Sequence, residues 1–288
     1  MNKPAVLYTL IVLMVVFWSG NYIAGKIALR ELSPLLLAGM RIGMAGLMML
    51  PVYFSSAQAR PPMRGMLRLL ALGVLGVTLN QVFFIVGLSR TSVAHAALII
   101  GLTPILVLIL AALRGLESIT LRKAGGMLIA LCGVGVLKAF EPAGTPATWF
   151  GDTFVFLASF CFALFTVFGK ESTRQYSSVT VNTVAYVGGG LALLPVTVWE
   201  AGRHSLAHVG AGPWLAAIYM ALFPSVIAYL IYYFALSHMA ASRVAAFSYL
   251  QPVFAAAMGV TILHESLGAP VVAGGLVTLT GVYLAERG

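Results

Sequence analysis

Two stretches of this sequence carry the same frame of Leu, Pro, Glu and Ser around an apolar run. Leu102 to Ser118 reads LTPILVLILAALRGLES, and Leu250 to Ser266, 148 positions later, reads LQPVFAAAMGVTILHES. Further matches in registers of 148 and 144 positions are Ser89 with Ser237, Gly126 with Gly274, Gly133 with Gly281, Gly25-Lys26 with Gly169-Lys170 and Leu50-Pro51 with Leu194-Pro195. The chain is therefore interpreted as one unit written twice.

The composition indicates the kind of protein that this repeat builds. Hydrophobic residues make up 60% of the chain, charged residues only 9%, and the mean hydropathy is +0.99. Soluble domains average about 25% charged residues, so this chain has too few charges to cover a surface that faces water. Apolar runs of about 20 residues, the length that crosses the hydrocarbon core, recur from end to end. A transmembrane barrel would alternate polar and apolar residues over segments of about 10 residues, so the sequence predicts an all-α polytopic membrane protein.

Ten transmembrane helices are predicted from the apolar runs, at residues 5–25, 35–54, 69–88, 93–113, 124–140, 151–169, 179–198, 213–235, 243–262 and 269–285. The gaps on the N-terminal side hold 11 Lys and Arg residues, against 5 on the opposite side. Because cytoplasmic loops carry the excess of basic residues, both termini are expected in the cytoplasm, with the chain in a bacterial-type inner (plasma) membrane. The net charge of +9 then reflects topology in the lipid bilayer, and no nucleic-acid partner is expected.

Each repeat unit contains five of the ten predicted helices, with limits at residues 5–140 and 151–285. Because five is an odd number, the second unit enters the membrane from the opposite face, and the two units form an inverted-topology repeat. Two similar halves that face opposite ways can form inward-open and outward-open conformations of comparable energy. This is the physical basis of alternating access, so a secondary transporter is the expected function.

Several motifs along the chain are similar to those of one transporter family. They are Trp18-Ser19-Gly20-Asn21 ahead of Gly25-Lys26, Arg41 within AGMRIGMAGLMML, Gly87 to Ser92 leading to Leu102-Thr103-Pro104, Gly115-Leu116-Glu117, and the segment from Gly126 to Gly133. In their order and spacing they resemble the EamA branch of the drug/metabolite transporter superfamily over the whole chain. The resemblance implies a ten-helix secondary transporter that exports amino acids, metabolites or toxic cations, with relatives that export aromatic amino acids. At the 144 offset, however, Phe162 to Phe165 replaces Trp18 to Asn21, so Asn21 has no polar counterpart.

The substrate site is expected near the middle of the bilayer, between the two units. The predicted substrate-binding residues are the polar and aromatic ones at or near this depth: Trp18, Asn21, Asn80, Gln81, Phe84, Thr103, Phe165, Tyr229, Tyr232, Ser248, Tyr249 and Gln251. Gln81 and Phe84 share a helix face, as do Tyr229 and Tyr232, and the 148 offset maps the first pair onto the second. These residues either line a common cavity or hydrogen-bond neighbouring helices as packing contacts.

Four further residues are candidates for gating or for binding charge. Arg41 is the only charge placed well inside a predicted span, roughly 9 Å from its outer end at 1.5 Å per residue. Such a charge suggests a functional site, where Arg41 can hold a carboxylate, but its side chain is also long enough to reach the membrane surface. Pro104 and Pro252 are predicted to kink their helices, either as a gate or as a fixed bend. Lys26 ends the first span, as a contact for an anion or as an interfacial anchor.

Glycines recur in the fifth and tenth predicted spans, at Gly125-Gly126 to Gly133 and at Gly274-Gly275 to Gly281. Because these segments lack polar side chains suited to binding, the glycines predict close helix packing. The contact is expected either within each unit or between two copies of the chain in a homodimer.

The leading functional hypothesis is export of small amphipathic metabolites, most of all amino acids with aromatic or apolar side chains. The alternative is export of drugs or quaternary cations such as methyl viologen, which aromatic faces attract. A passive channel or an intramembrane enzyme ranks lower, because the sequence holds no HExxH, no GxSxG and no paired acids at depth. No cofactor and no metal site are expected. All eight acidic residues fall in gaps or at span ends, so the sequence leaves open whether transport is coupled to protons or runs downhill.

Overall fold

The computed structural model describes residues 3–56, 61–91, 96, 99–139, 148–204, 206–251, 253–254, 257 and 269–288. The regular structure of these residues is helical, and we label the helices in chain order. They are α1 (Lys3–Ala28), α2 (Pro34–Ser55), α3 (Met63–Arg90), α4 (Thr103–Leu113), α5 (Leu121–Ala139), α6 (Trp149–Ser172), α7 (Ser178–Arg203), α8 (Ala211–His238), α9 (Ala241–Ala246) and α10 (Ala269–Glu286). The predicted all-α class is confirmed for this part of the chain.

Six of the described helices are long and apolar enough to cross a bilayer: Ala5–Ala28 of α1, and the whole of α2, α3, α6, α7 and α8. Thr103–Leu113 and Val272–Glu286 are shorter apolar helices. Large apolar side chains on the outside of the bundle, such as Leu47, Phe54 and Leu191, are between 64% and 72% exposed. Water would disfavour such a surface, whereas lipid tails match it. The chain is a multi-pass membrane protein.

Side-chain caps fix where three of these helices begin. Ser33 accepts a hydrogen bond from the backbone N–H of Leu36 at the start of α2, and Ser177 accepts one from Thr180 at the start of α7. Thr148 caps α6 in the same way. Each cap satisfies one of the backbone N–H groups that the first turn leaves without an intrahelical partner.

The fourth apolar run, residues 93–113, differs from its predicted form. α4 begins at Thr103, after a turn at Gly101 and Leu102, so Pro104 lies in the first turn of the helix. A proline there removes no intrahelical hydrogen bond. Pro104 therefore stands at a helix start, whereas the sequence predicted a kink near mid-helix. Its equivalent, Pro252, lies outside the described residues.

Two of the long helices contain a π-helical turn that the sequence did not predict. The turns cover Val74–Leu79 in α3 and Ala221–Ile227 in α8, and they overlap in the 148-position register. A π turn adds a residue to the normal helical repeat, which changes the direction in which later side chains point. The next two residues are Asn80 and Gln81 in α3 and Ala228 and Tyr229 in α8.

Helices of one predicted unit pack against helices of the other. α1 packs against α8, α3 against α6, α2 against α7, and α5 against α10. Each pair joins one helix of residues 5–140 to one helix of residues 151–285. The buried core, which includes Leu36, Ile42 and Tyr186, is therefore shared by both segments. A site in the middle of the bundle must draw its residues from both.

Glycine allows α5 and α10 to approach closely. A Cβ atom built on Gly126 would lie 2.8 Å from the carbonyl oxygen of Gly281, and one on Gly281 would lie 2.6 Å from that of Gly126. Since real Cβ atoms do not approach backbone so closely, these positions require glycine. The predicted close packing is confirmed, but its partner differs: the contact joins two distant helices of one chain. A homodimer stays a prediction that these glycines do not support.

Candidate functional site

A cavity of about 110 Å³ lies in the interior of the bundle, at positions near the middle of α1 and α6. Eleven of the predicted residues line it: Trp18, Asn21, Arg41, Asn80, Gln81, Phe84, Thr103, Tyr229, Tyr232, Ser248 and Gln251. The Gln81 and Phe84 pair and the Tyr229 and Tyr232 pair both reach the cavity. Helices that are distant in sequence thus bring polar and aromatic side chains to one place.

Five of the predicted residues do not line the cavity or cannot be placed. Phe165 is fully buried behind it, where its ring packs against the π turn of α3 at Gly76. Tyr249 is buried in the turn after α9, away from the cavity lining. Lys26 lies partly buried in the last turn of α1, and Pro104 at the start of α4. Pro252 is outside the described residues.

Four aromatic rings form one wall of the cavity. The ring centroid of Trp18 lies 5.4 Å from that of Tyr232, 5.9 Å from that of Tyr229 and 6.0 Å from that of Phe162. Tilted and edge-on pairs at these separations contribute about 0.5–1.5 kcal/mol each beyond their burial. The wall is therefore a defined apolar surface, suited to a flat or aliphatic group.

Hydrogen bonds hold this aromatic wall in place. The Trp18 Nε1 donates to the backbone oxygen of Pro224, in the π turn of α8, at 3.1 Å. The Tyr232 hydroxyl and Thr166 Oγ1 form a hydrogen bond of 2.6 Å. Both bonds use the polar edge of an otherwise apolar ring, which leaves the ring faces for packing or for a ligand.

The rest of the lining mixes small or apolar residues with polar side chains, and all of them are uncharged except one. Asn80 donates from Nδ2 to the backbone oxygen of Ala158 at 2.9 Å, which ties α3 to α6. Asn21 Oδ1 and Ser159 Oγ are buried without a hydrogen-bond partner among the described residues. Buried polar atoms are normally paired, and both residues line the cavity, so each of these atoms keeps an unused hydrogen-bonding capacity beside it.

The exception is Arg41, whose side chain is only 2% exposed. Its Nε donates to Ser225 Oγ at 2.8 Å, and Ser225 Oγ in turn donates to the backbone oxygen of Met220 at 2.8 Å. Ser225 lies in the π turn of α8, so a residue about one third of the way along α2 is bonded to a helix of the second predicted unit. Of the two alternatives that the sequence left open, Arg41 points inward and does not reach the membrane surface.

Sequence reasoning missed six cavity residues: Tyr22, Ile100, Ala158, Ser159, Phe162 and Ala245. Two of them carry a signal that could have been used. Tyr22 lies one helical turn after Trp18, and Phe162 occupies the position of Trp18 in the 144 register. The others are small or apolar residues, and only the packing of neighbouring helices brings them to the cavity.

A second cavity, of about 540 Å³, lies at helix ends and is lined by Arg68, Arg114, Phe168, Glu171 and Tyr176 among others. Arg114 and Glu171 form an ion pair of 2.9 Å across it, with side chains 52% and 34% exposed. Ion pairs this open to solvent contribute little binding energy. None of the predicted site residues lines this second cavity, so the smaller interior cavity is the candidate site.

A multi-pass helical bundle with a polar and aromatic interior cavity is the architecture of a membrane transporter. Two segments of the chain, residues 6–138 and 149–286, match the EamA-like transporter family. The chain belongs to this family, as its motifs indicated.

Related proteins of the same length support this membership. An uncharacterized transporter of Archaeoglobus fulgidus is 30% identical over 283 residues, which are 97% of this chain and 98% of the relative. The transporter YyaM of Bacillus subtilis is 28% identical, over 96% of this chain and 94% of the relative. The inner membrane transporter YedA of Escherichia coli K12 is 25% identical, over 88% and 81%. These names indicate a transporter rather than an enzyme.

A solved crystal structure shares the fold. The two structures superpose with a TM-score of 0.81 at 18% identity, and the matched residues are 98% of this chain and 97% of the other. At this identity the likeness concerns the fold alone.

Proposed function

We propose that this protein is a secondary transporter that exports small amphipathic metabolites, most of all amino acids with aromatic or apolar side chains. The observation that carries the proposal is the interior cavity, whose lining combines an aromatic wall with polar side chains and the one charged residue Arg41. Such a lining suits a molecule with an apolar side chain and a polar head. Its volume of about 110 Å³ is below the roughly 300–1,000 Å³ of pockets for drug-sized ligands, which favours a small metabolite.

The transport cycle in this proposal uses ten membrane-spanning helices in two inverted units, residues 5–140 and 151–285. Three observations support it: the sequence matches at offsets of 144 and 148, the overlap of the two π turns, and the pairing of helices across the two segments. Rocking of one unit against the other would expose the cavity to each side of the membrane in turn. In this proposal both termini lie in the cytoplasm, on the side that carries the excess of Lys and Arg, and the chain lies in the inner membrane.

Export of quaternary cations such as methyl viologen is the alternative within transport. Aromatic faces such as those of Trp18 and Tyr229 attract such cations. The buried guanidinium of Arg41 on the same cavity opposes them, so this alternative ranks second. A passive channel and an intramembrane enzyme rank lower, since neither requires a cavity divided between two related units.

Uptake into proteoliposomes tests the proposal. Radiolabelled phenylalanine, threonine and methyl viologen are supplied separately, with and without an imposed pH gradient. We expect saturable uptake of phenylalanine that exceeds uptake of methyl viologen. Dependence on the pH gradient then distinguishes proton-coupled export from downhill transport.

Two tryptophan variants serve as a matched pair in this assay. Trp18→Ala removes one side of the aromatic wall and is expected to lower phenylalanine uptake at least several-fold. Trp199→Ala removes a tryptophan that is 56% exposed on the outside of α7, and uptake is expected to stay near the wild-type level. Saturable methyl viologen uptake without phenylalanine uptake would establish the cation alternative, and saturable uptake of none of the three would contradict the proposed substrate class.

A further inference from the structure

The charge of Arg41 is unusual for its position. The residue lies in the span Pro34–Ser55, it is 2% exposed, and it lines the interior cavity. Burial of an unpaired charge in a medium of low dielectric constant is costly, so such charges are normally paired or functional. The structure must therefore supply a partner, or leave one to be supplied from outside.

The protein satisfies only part of this guanidinium. Nε is bonded to Ser225, whereas Nη1 is buried and has no hydrogen-bond partner among the described residues. The bond at Nε fixes the orientation of the planar group, because the guanidinium turns as a rigid unit. Nη1 is thus an unused donor on a side chain that lines the cavity.

No carboxylate in the described part of the chain neutralises Arg41. The six acidic residues described there have other partners: Glu31 accepts from Gly210, Glu117 from Ser242, Asp152 from Thr91, Glu171 from Arg114, Glu200 from Ser33 and Glu286 from Tyr8. None of them lines the cavity. Within the described residues, the cavity therefore carries one net positive charge.

Resting on the proposed function, we propose that Arg41 binds the carboxylate of the transported molecule and thereby selects substrates that carry one. The free Nη1 donates to the carboxylate, and charge-assisted hydrogen bonds of this kind are among the strongest that proteins form. The apolar part of the molecule lies on the wall of Trp18, Phe162 and Tyr232. Asn21 Oδ1 and Ser159 Oγ accept from an ammonium group where the substrate is an amino acid. A cation without a carboxylate is repelled by the same guanidinium.

Four matched probes test this assignment: phenylalanine, 3-phenylpropionate, phenylethylamine and methyl viologen. The first two carry a carboxylate, and the last two carry only positive charge. Binding is measured as the concentration-dependent shift in the melting temperature of the detergent-solubilised protein, a readout that does not require transport. We expect both carboxylates to raise the melting temperature of the wild-type protein and the two cations to leave it unchanged.

Variants of Arg41 connect the shift to this residue. Arg41→Gln is expected to weaken the apparent affinity for 3-phenylpropionate roughly tenfold or more, the loss that corresponds to a hydrogen bond with a charged group. Arg41→Lys keeps the charge but not the planar donors, so its affinity should lie between those of the wild type and Arg41→Gln. Arg30→Gln removes an exposed arginine in the turn after α1, and this variant should bind as the wild type does.

Each result supports or overturns the assignment. A wild-type protein that no carboxylate stabilises, or that the cations stabilise at least as well, overturns it, as does unchanged carboxylate affinity in a folded Arg41→Gln. Stabilisation by carboxylates with no saturable uptake in proteoliposomes leaves the Arg41 site in place but contradicts the proposed transport. Uptake of methyl viologen without carboxylate binding overturns the Arg41 assignment and establishes the cation alternative.

Discussion

Lys170 and Lys26 occupy equivalent positions in the 144 register but have different surroundings. Lys170 donates from Nζ to the backbone oxygens of Leu236 and, at 2.6 Å, Met239, at the C-terminal end of α8. These carbonyls lie where a helix leaves its acceptors without intrahelical partners and where a positive charge is favoured. Lys26 makes no such bond with the described residues around Leu88 and Thr91, which are the corresponding positions in the 148 register. Lys170 thus links α6 to the end of α8. Within the described residues, Lys26 makes no equivalent link from α1 to the end of α3.

We predict that Lys170→Met destabilises the protein more than Lys26→Met does. Loss of hydrogen bonds from a charged donor to buried acceptors costs about 1–3 kcal/mol, whereas removal of a partly exposed lysine without such bonds should cost little. The measurement is the melting temperature of the two purified variants, with unfolding monitored by tryptophan fluorescence. Equal melting temperatures would show that the bonds of Lys170 add nothing to stability.

At the scale of the helix, α5 and α10 offer a direct test of packing. Gly126 faces α10, and even the single methyl group of alanine would meet the backbone at Gly281 and Ala285. The neighbouring Gly125 has no atom within 4 Å of a Cβ built on it. The two glycines therefore differ in their contacts, although they share one helix and one chemical type.

We predict that Gly126→Ala destabilises the protein and that Gly125→Ala does not. Overpacking against backbone costs about 1–3 kcal/mol, because the two helices must separate. Alanine at Gly125 should instead stabilise the helix by up to about 1 kcal/mol through its higher helix propensity. Thermal unfolding of both variants in one detergent measures the difference. A Gly126→Ala variant at least as stable as Gly125→Ala would rule out the close α5 and α10 contact.

The π turns act at the same scale, because they set the direction of the residues behind them. The hydrogen bonds of Trp18 and Arg41 both end in the turn of α8, at Pro224 and Ser225. In α3 the equivalent turn is tied to α7 by Thr78, which donates to the backbone oxygen of Gly189 at 3.0 Å. Both turns are therefore fixed by side-chain bonds to neighbouring helices, and local propensity alone gave no sign of them.

For the whole molecule, the distribution of Lys and Arg predicts the orientation in the membrane. Gln175 lies in the turn between α6 and α7, beside Lys170 and Arg174, and should face the cytoplasm. Ala207 lies in the connection between α7 and α8 and should face the opposite side. Both residues are exposed, so a cysteine at either position would be accessible to a reagent.

Labelling of intact cells with a membrane-impermeant maleimide tests this orientation. In a background in which Cys132 and Cys161 are replaced by alanine, Ala207→Cys should be labelled in intact cells. Gln175→Cys should be labelled only after the membrane is permeabilised. The reverse result would place both termini outside the cytoplasm, and labelling of both in intact cells would contradict the order of the spans between them.

Much of the fold and part of the candidate site could be predicted from the sequence at this same scale. The apolar runs predicted the positions of the six long described spans. Of the residues selected for their depth within such runs, eleven line the cavity. Phe165 and Tyr249 were predicted for the cavity but are buried outside its lining. Ser159 and Ala158 could not be predicted, since nothing in their local sequence separates them from ordinary packing residues.

The sequence by itself determined the all-α membrane class of the protein and the positions of its long apolar helices. These properties depend on the length and polarity of local runs, because a helix advances a fixed distance per residue. The tertiary structure alone decided which residues face one another. That choice depends on contacts between helices far apart in the chain, as in the bond from Arg41 to Ser225, and on π turns that rotate helix faces away from the regular period.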